Sequence, residues 1–352
     1  MASIENKSVI FKSVPVGYPT ADNLPVVSST IPASAPEGGL LIKVLTISLD
    51  PYMRGRMRDA SKKSYSPAFP LDQPTAGFGV SKVLDSAVAG FAKDDLVVSP
   101  VTNHAQYMAV PAALVGTFKK VTNPYNFPLS YFVGVLGMPG LTAYTSLEYV
   151  VGPLKAGETI LVSAAAGAVG QIVGQIAKKR GLKVYGTVGS DEKVKYLTDK
   201  LGFDDAWNYK TETDCVAAIN KHIPQGIDIF FDNVGGDLLD AVLVTANDFA
   251  RIACCGQISQ YNAKPEELYG YKNLMEIVTR RLKLQGFIVG DLVQQHPDVL
   301  GKFFAEVSGY LHDGSFVYQE DVVEGLENFA DAFVGLLKGK NFGKLVIKVA
   351  DE

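Results

Sequence analysis

The chain has 352 residues, 47% of them apolar and 20% charged, enough for two domains with cores of their own. A net charge of −4 argues against a general nucleic-acid or anionic-membrane binder, and three cysteines, two of them adjacent (Cys254, Cys255), make no disulfide framework. The first residues lack a basic region followed by an apolar core, and no apolar run reaches membrane-spanning length; a cytoplasmic protein with no membrane partner is expected.

Up to residue 128 the texture is β-rich. Short pieces at 9–11, 39–48, 76–84, 96–100 and 105–110 are spaced by turns of Pro, Gly, Ser and Asp, which predicts a partially closed barrel. From Tyr131 the pattern becomes helical, and 140–147 reads as a helix leading into a second domain. There Ile160-Leu161-Val162 reads as a buried strand that breaks at Ser163-Ala164-Ala165-Ala166-Gly167-Ala168-Val169-Gly170. Val169, Ile172, Val173, Ile176 and Ala177 then recur at the spacing of one helix face.

Strand, small-residue turn and helix make the context of a dinucleotide-binding fingerprint. Gly167 would let the backbone approach a pyrophosphate, Gly170 would let helix and strand pack closely, and the helix start offers N–H groups and its positive dipole end. Set against G-x-G-x-x-G, the first glycine is Ala165. The alternation that follows strengthens the reading: strand 182–188, helix 191–202, strand 206–209, helix 214–222, strand 227–234, helix 238–246, and strands 251–256 and 283–289. Such alternation means βαβ units and a parallel sheet, an α/β, doubly wound Rossmann domain over 129–317. A helix at 297–311 packs back on the sheet. The helix 325–337 and strand 344–349 are expected to rejoin the β-rich domain, which then comprises 1–128 and 318–352. Leaving one domain and returning to it places a cleft between the two.

Strand 182–188 ends without the acid that holds an adenosine ribose in NAD sites. Asp191 and Glu192 read as acids at a helix N-terminus. Lys193 is either a solvated helix lysine or the partner of a 2′-phosphate. Asn233, at the C-terminal end of a predicted strand, either meets a ligand or holds the turn Val234-Gly235-Gly236, and both roles are compatible. Cys254 and Cys255 read as core. A catalytic zinc needs three Cys, His or carboxylate ligands, whereas the first domain has no cysteine and one histidine, His104, which reads as a loop or partly buried residue. Arg54, Arg56 and Arg58 read as holding the loop after Asp50-Pro51 through carboxylates and backbone carbonyls.

Several motifs occur in order along the chain: Asp50-Pro51-Tyr52-Met53-Arg54-Gly55-Arg56-Met57, Gly137-Met138-Pro139-Gly140-Leu141-Thr142-Ala143-Tyr144, the Ala164 to Gly170 turn, Gly189-Ser190-Asp191-Glu192-Lys193-Val194, Asn208-Tyr209-Lys210, Phe231-Asp232-Asn233-Val234-Gly235-Gly236, Cys255-Gly256-Gln257-Ile258-Ser259-Gln260-Tyr261-Asn262 and Asn341-Phe342-Gly343-Lys344. With these the chain resembles the zinc-independent alkenal double-bond reductases and prostaglandin reductases of the medium-chain dehydrogenase/reductase superfamily. The resemblance implies a GroES-like first domain, NADPH as cofactor, no metal, and a homodimer. It carries Gly167, Ala168, Val169 and Gly170 to the pyrophosphate, Lys193 and Tyr209 to the 2′-phosphate, and Asn233 to the ribose region. It adds Thr142, Gly189 and Ser190 to the cofactor contacts. Cys255, Gly256, Ile258, Ser259 and Tyr261, then Phe287, Ile288 and Val289, and Asn341 would line the nicotinamide half. Tyr52, Tyr65 and Met138 would face the substrate, with loops 57–70 and 264–271 shaping its pocket.

The implied activity is reduction of the C=C bond of α,β-unsaturated ketones and aldehydes, with hydride delivered to the β-carbon. Negative charge then builds on the carbonyl oxygen, where a tyrosine hydroxyl can stabilise it, and a proton reaches the α-carbon from a tyrosine or water. Tyr261 is the favoured donor and Tyr52 the second. A zinc-free NADPH quinone oxidoreductase and a non-catalytic NADPH-binding protein are the alternatives.

Overall fold

In the computed structural model, which describes residues 2–352, the chain separates into two units, residues 2–134 with 320–352 and Val135–Gln319. The second unit opens with helix α1 (Met138–Ser146), which continues as a π-helical turn over Leu147–Val151. Its sheet consists of β1 (Thr159–Val162), β2 (Lys183–Val188), β3 (Asp205–Asn208), β4 (Ile227–Asp232), β5 (Ala246–Cys254) and β6 (Lys283–Gly286). The spatial order is β3-β2-β1-β4-β5-β6 and every pairing is parallel. Crossovers are made by α2 (Gly170–Lys179), α3 (Asp191–Asp199), α4 (Cys215–His222) and α5 (Gly236–Thr245), and α6 (Val299–His312) follows β6. Parallel strands are covered on both faces, so they read as unbroken apolar runs; all four residues of β1 are buried.

Close packing of helix on sheet depends on two glycines within elements. A Cβ on Gly174 of α2 would come 2.0 Å from the Phe203 ring. One on Gly186 of β2 would come 2.7 Å from Ala165 Cβ and 2.8 Å from Leu197. Ala165, where the fingerprint has its first glycine, therefore finds its space opposite a glycine of the neighbouring strand.

In the first unit, Leu40–Ser48 pairs antiparallel with Ala76–Ser86, Tyr107–Val110 and Lys344–Lys348, and Ala76–Ser86 pairs antiparallel with Leu96–Asn103. The last strand pairs in parallel with Glu320–Glu324. A smaller sheet sets Ser3–Phe11 between Val26–Pro32 and Gln73–Pro74.

The structure differs from the sequence reading at several elements. Val26–Pro32 and Glu320–Glu324 are strands that carry no apolar alternation; neither has a buried residue. The run at 283–289 is not one strand: β6 stops at Gly286 and a helix starts at Val289. β5 begins at Ala246, earlier than expected, with an irregularity in its register against β4. Among the described residues no helix is long and apolar enough to cross a membrane.

Candidate cofactor and active site

The six parallel strands release the chain at one edge of the sheet, and most of the expected cofactor residues stand immediately past those ends. β1 is followed by the Ser163–Val169 turn, β2 by Gly189 and Ser190, β3 by Tyr209, β4 by Asn233, β5 by Cys255 and Gly256, and β6 by Phe287. From β1 the chain winds to β2 and β3 on one side, then returns to β4 on the other. This is the switch point at which open α/β sheets bind ligands.

The glycine turn is tight. Ala164 has φ +48°, and the Gly167 amide donates to the Ala164 carbonyl at 2.9 Å. A Cβ on Gly170 would lie 2.6 Å from that carbonyl oxygen and 2.7 Å from Ala165 Cα, whereas one on Gly167 would stand 3.1 Å from the same oxygen. Gly170 is thus required for the turn to close. The ten-residue α2 begins there, bringing its dipole and first-turn amides to the mouth of the switch point.

A second cluster forms past β2 and β3. Ser190 caps α3, its hydroxyl accepting the Lys193 amide at 3.3 Å. The Tyr209 amide donates to Val188 O at 3.0 Å, and the Tyr209 hydroxyl would lie 3.0 Å from a Cβ on Gly189. Asp191 is engaged by the Asn208 amide at 2.8 Å, in keeping with its reading as a helix-terminus acid. Lys210 belongs to the same corner, its ammonium 6.0 Å from the Tyr209 ring centre. Its adjacency to Tyr209 was the available signal, but a lone exposed lysine after a strand reads as ordinary surface.

Between β1 and β4 lies a knot of short bonds. The buried Asp232 accepts from Ser163 Oγ at 3.0 Å and from the Val234 and Gly235 amides at 2.9 and 3.0 Å. Its carbonyl accepts from Cys255 and Gly256 at 2.8 and 3.1 Å. Burial pushes its carboxyl above the usual range, against the pull of those amides and the serine. Asn233 donates its side-chain amide to Ser163 O at 2.8 Å, tying the end of β4 to the turn after β1, whereas the Val234-Gly235 turn expected of it is held by Asp232. Burial, then the charge of Asp232, pushes the Cys254 thiol to about 11 and the Cys255 thiol to about 12; both stay protonated.

Ile258 and Ser259 sit in the 3-10 turn that leads to Tyr261. The Tyr261 hydroxyl accepts the Gln257 amide at 3.3 Å and would lie 3.0 Å from a Cβ on Gly256. Phe287 packs edge-on to Phe231 of β4 at 6.4 Å, and Ile288 caps the helix that starts at Val289. Thr142 is buried in α1, its hydroxyl bonded to Met138 O at 2.8 Å and 3.5 Å from the Met138 sulfur.

Tyr52, Tyr65 and Asn341 belong to the other unit. Tyr52 is half-buried, and burial followed by the Asp50 carboxylate raises its pKa well above the ordinary value, against the nearby Arg56 guanidinium. Tyr65 is exposed yet close enough to act electrostatically on both Tyr52 and Arg56. Arg54 donates to Gly17 O, Arg56 to Pro67 O and Ala76 O, and Arg58 to Gly55 O and Lys62 O. Backbone carbonyls carry most of what the sequence assigned partly to carboxylates. Asn341 donates to Gly343 O at 2.8 Å.

His104 is fully buried, with Nδ1 2.8 Å from the Thr75 hydroxyl and its ring 4.9 Å from Phe329. Burial, then Arg56, lowers its pKa to about 3, so it is neutral. Among the described residues no group of three or more His, Cys, Asp or Glu side chains is placed to hold a metal ion, and the donor set does not fit a zinc site.

Comparison with known proteins gives two family matches, zinc-binding dehydrogenase over residues 168–306 and N-terminal domain of oxidoreductase over residues 7–116. The chain is 44% identical over 352 residues to the NADP-dependent oxidoreductase RED1 of Cochliobolus heterostrophus, covering 99% of this chain and 98% of that one. It is 45% identical over 351 residues to the NADP(+)-dependent 2-alkenal reductase of Nicotiana tabacum, covering 99% of each. The structure of CurA from Vibrio vulnificus in complex with NADPH matches with a TM-score of 0.87 at 38% identity, over 98% of this chain and 100% of that one.

Proposed function

The chain belongs to the NADP-dependent alkenal reductases of the medium-chain dehydrogenase/reductase superfamily, and on that premise we propose that it reduces the C=C bond of α,β-unsaturated ketones and aldehydes with NADPH. The observation that carries the cofactor assignment is the corner past β2 and β3. No acid ends β2; the Tyr209 hydroxyl and the Lys210 side chain stand against Gly189 instead, and Ser190 caps the helix that carries Lys193 in its first turn. Cations and hydroxyls there suit a 2′-phosphate, where an acid would suit a ribose hydroxyl.

Bound NADPH supplies the hydride. The Gly167–Gly170 turn and the start of α2 would hold its pyrophosphate, and the segment from Cys255 to Tyr261 would meet its nicotinamide half. Tyr261 is the favoured hydrogen-bond donor to the substrate oxygen as charge develops there, with Tyr52 the second candidate for that role. Burial beside Asp50 keeps the Tyr52 hydroxyl protonated, so it remains a donor at any pH near neutrality. No step calls for a Lewis acid, because the carbonyl already polarises the alkene.

The chain acts as a cytoplasmic homodimer without nucleic-acid or membrane partners. Supporting this are the net charge of −4, the three free cysteines, and the unpaired edge of β6 together with the exposed side chains of Phe249, Leu274, Met275 and Val278. The activity is tested by following NADPH oxidation with a simple enone and with a benzoquinone. Enone turnover is expected. Turnover of quinone alone would replace this reading with a quinone oxidoreductase, and tight NADPH binding without any turnover would replace it with a non-catalytic binder.

A further inference from the structure

Helix α5 secures itself to the sheet through the buried Leu238, Leu239, Ala241, Val242 and Leu243. Among them stands a carboxylate, Asp240, only 3% exposed. A buried carboxylate is tolerated where donors surround it, and here all of its donors come from one short segment. Asp240 accepts from the Tyr269 hydroxyl at 3.1 Å, the Lys272 amide at 3.1 Å, the Asn273 amide at 3.0 Å and the Asn273 side chain at 3.1 Å.

The same segment is fastened at two further points. The Tyr271 hydroxyl accepts the Gly236 amide at 3.1 Å, and the Tyr269 amide donates to Gln260 Oε1 at 2.8 Å. Gln260 in turn donates to Ser259 Oγ at 2.9 Å, and Ser259 donates to Val234 O at 2.6 Å. Residues 261–268 thus form a loop closed by Gln260 at one end and by the Asp240 clamp at the other. Apolar burial does not hold this loop, since its Leu268 is exposed, as are Leu274 and Met275 just beyond the clamp.

We propose that Asp240 is a positioning residue for the reductase reaction, fixing loop 261–268 and, through Tyr269 and Gln260, the orientation of Tyr261. This rests on the reading of Tyr261 as the hydrogen-bond donor and of the loop as a wall of the substrate pocket. Asp240 touches neither substrate nor cofactor. It acts on how well the enone is held, while the glycine turn and the Lys193 corner bind NADPH independently.

The test compares Asp240→Leu, which keeps the volume and loses all four bonds, with Asp240→Asn, whose remaining oxygen still accepts from the Lys272 and Asn273 amides. Asp240→Leu should lower enone kcat/KM by about 100-fold, the scale of a misplacement near 1 Å, while NADPH affinity changes far less, since the glycine turn and the Lys193 corner lie outside the clamped segment. Asp240→Asn should recover most of that loss. Amide hydrogen exchange over residues 261–273 should accelerate in the same order with no substrate present. If Asp240→Leu proves too unstable, Tyr269→Phe, which removes one bond and leaves the carboxylate clamped by the others, should show a smaller change of the same kind. Unchanged enone kinetics despite faster exchange would overturn the proposal, as would parallel losses of NADPH affinity and enone turnover. A wild-type protein that reduces no enone, yet shows the expected exchange pattern, would sink the functional reading and not the clamp.

Discussion

The Lys344 ammonium lies 2.9 Å from the Asp50 carboxylate, with both side chains withdrawn from solvent. Lys344 also donates to Leu49 O at 2.8 Å, and the Ser48 hydroxyl donates to the other carboxylate oxygen. The pair therefore ties the turn that carries Tyr52 to the strand that begins three residues after Asn341. Removing one member of such a buried pair leaves the other uncompensated. Lys344→Met should lower stability by about 3–5 kcal/mol, read by chemical denaturation. The double change with Asp50→Asn should restore part of the loss; a Lys344→Met protein as stable as the parent would show that the pair is not a fastening.

Lys193→Ala should weaken NADPH while leaving NADH nearly untouched. A charge-assisted hydrogen bond is worth about 1.5–3 kcal/mol, or roughly ten- to 150-fold in the NADPH Michaelis constant. Lys210→Ala should act in the same direction, because its side chain stands against Gly189 in the same corner. Equal effects on the two cofactors would make either lysine ordinary surface.

Gly170→Ala places a methyl 2.6 Å from a backbone oxygen that cannot move without opening the turn. NADPH affinity should fall sharply and stability should drop by about 1–3 kcal/mol. Gly167→Ala, with 3.1 Å to the same oxygen, should be milder in stability. Fluorescence titration and thermal melts separate the two; a reversed order would contradict the assignment of Gly170 to turn closure.

His104 is held neutral, its pKa lowered from 6.5 to about 3 by burial. The unfolded chain takes up a proton on this ring below about pH 6.5, whereas the folded one does not. The stabilisation is therefore full above that pH and is lost as the pH falls toward 3, at a rate of about 1.4 kcal/mol per pH unit. His104→Gln should remove this part of the acid slope, and an identical slope would show that the ring titrates freely.

Much of the nucleotide-binding unit is legible in the sequence because its strands are apolar on both faces and separated by periodic helices. The turn at Gly167 and Gly170 can be read for the same reason, since local sterics dictate it. Side chains that tie distant segments are not legible. Asp232 gathers Ser163, Val234 and Gly235, and Gln171 receives Tyr196 at 2.9 Å and the Gln319 amide at 2.9 Å. Each looks like an ordinary polar residue until the fold brings its partners together. The run at 283–289 misled because apolar residues continue past the strand end: Phe287 packs on Phe231 from outside the strand.

Tyr261→Phe keeps the ring and removes only the hydroxyl. Loss of a single donor at a developing oxyanion typically costs about 100-fold or more in turnover. Cofactor affinity should stay unchanged, since the glycine turn and the Lys193 corner are untouched. Tyr52→Phe should cost less, and an undiminished rate in Tyr261→Phe would transfer the role elsewhere.

Hydride placement decides the central claim. NADPH carrying deuterium at the transferable position of its nicotinamide is incubated with the protein and an enone, and the product is examined by NMR. Deuterium on the carbon β to an intact carbonyl is the result this account predicts. Deuterium on the carbonyl carbon, giving an allylic alcohol, or no transfer to any enone, would contradict it.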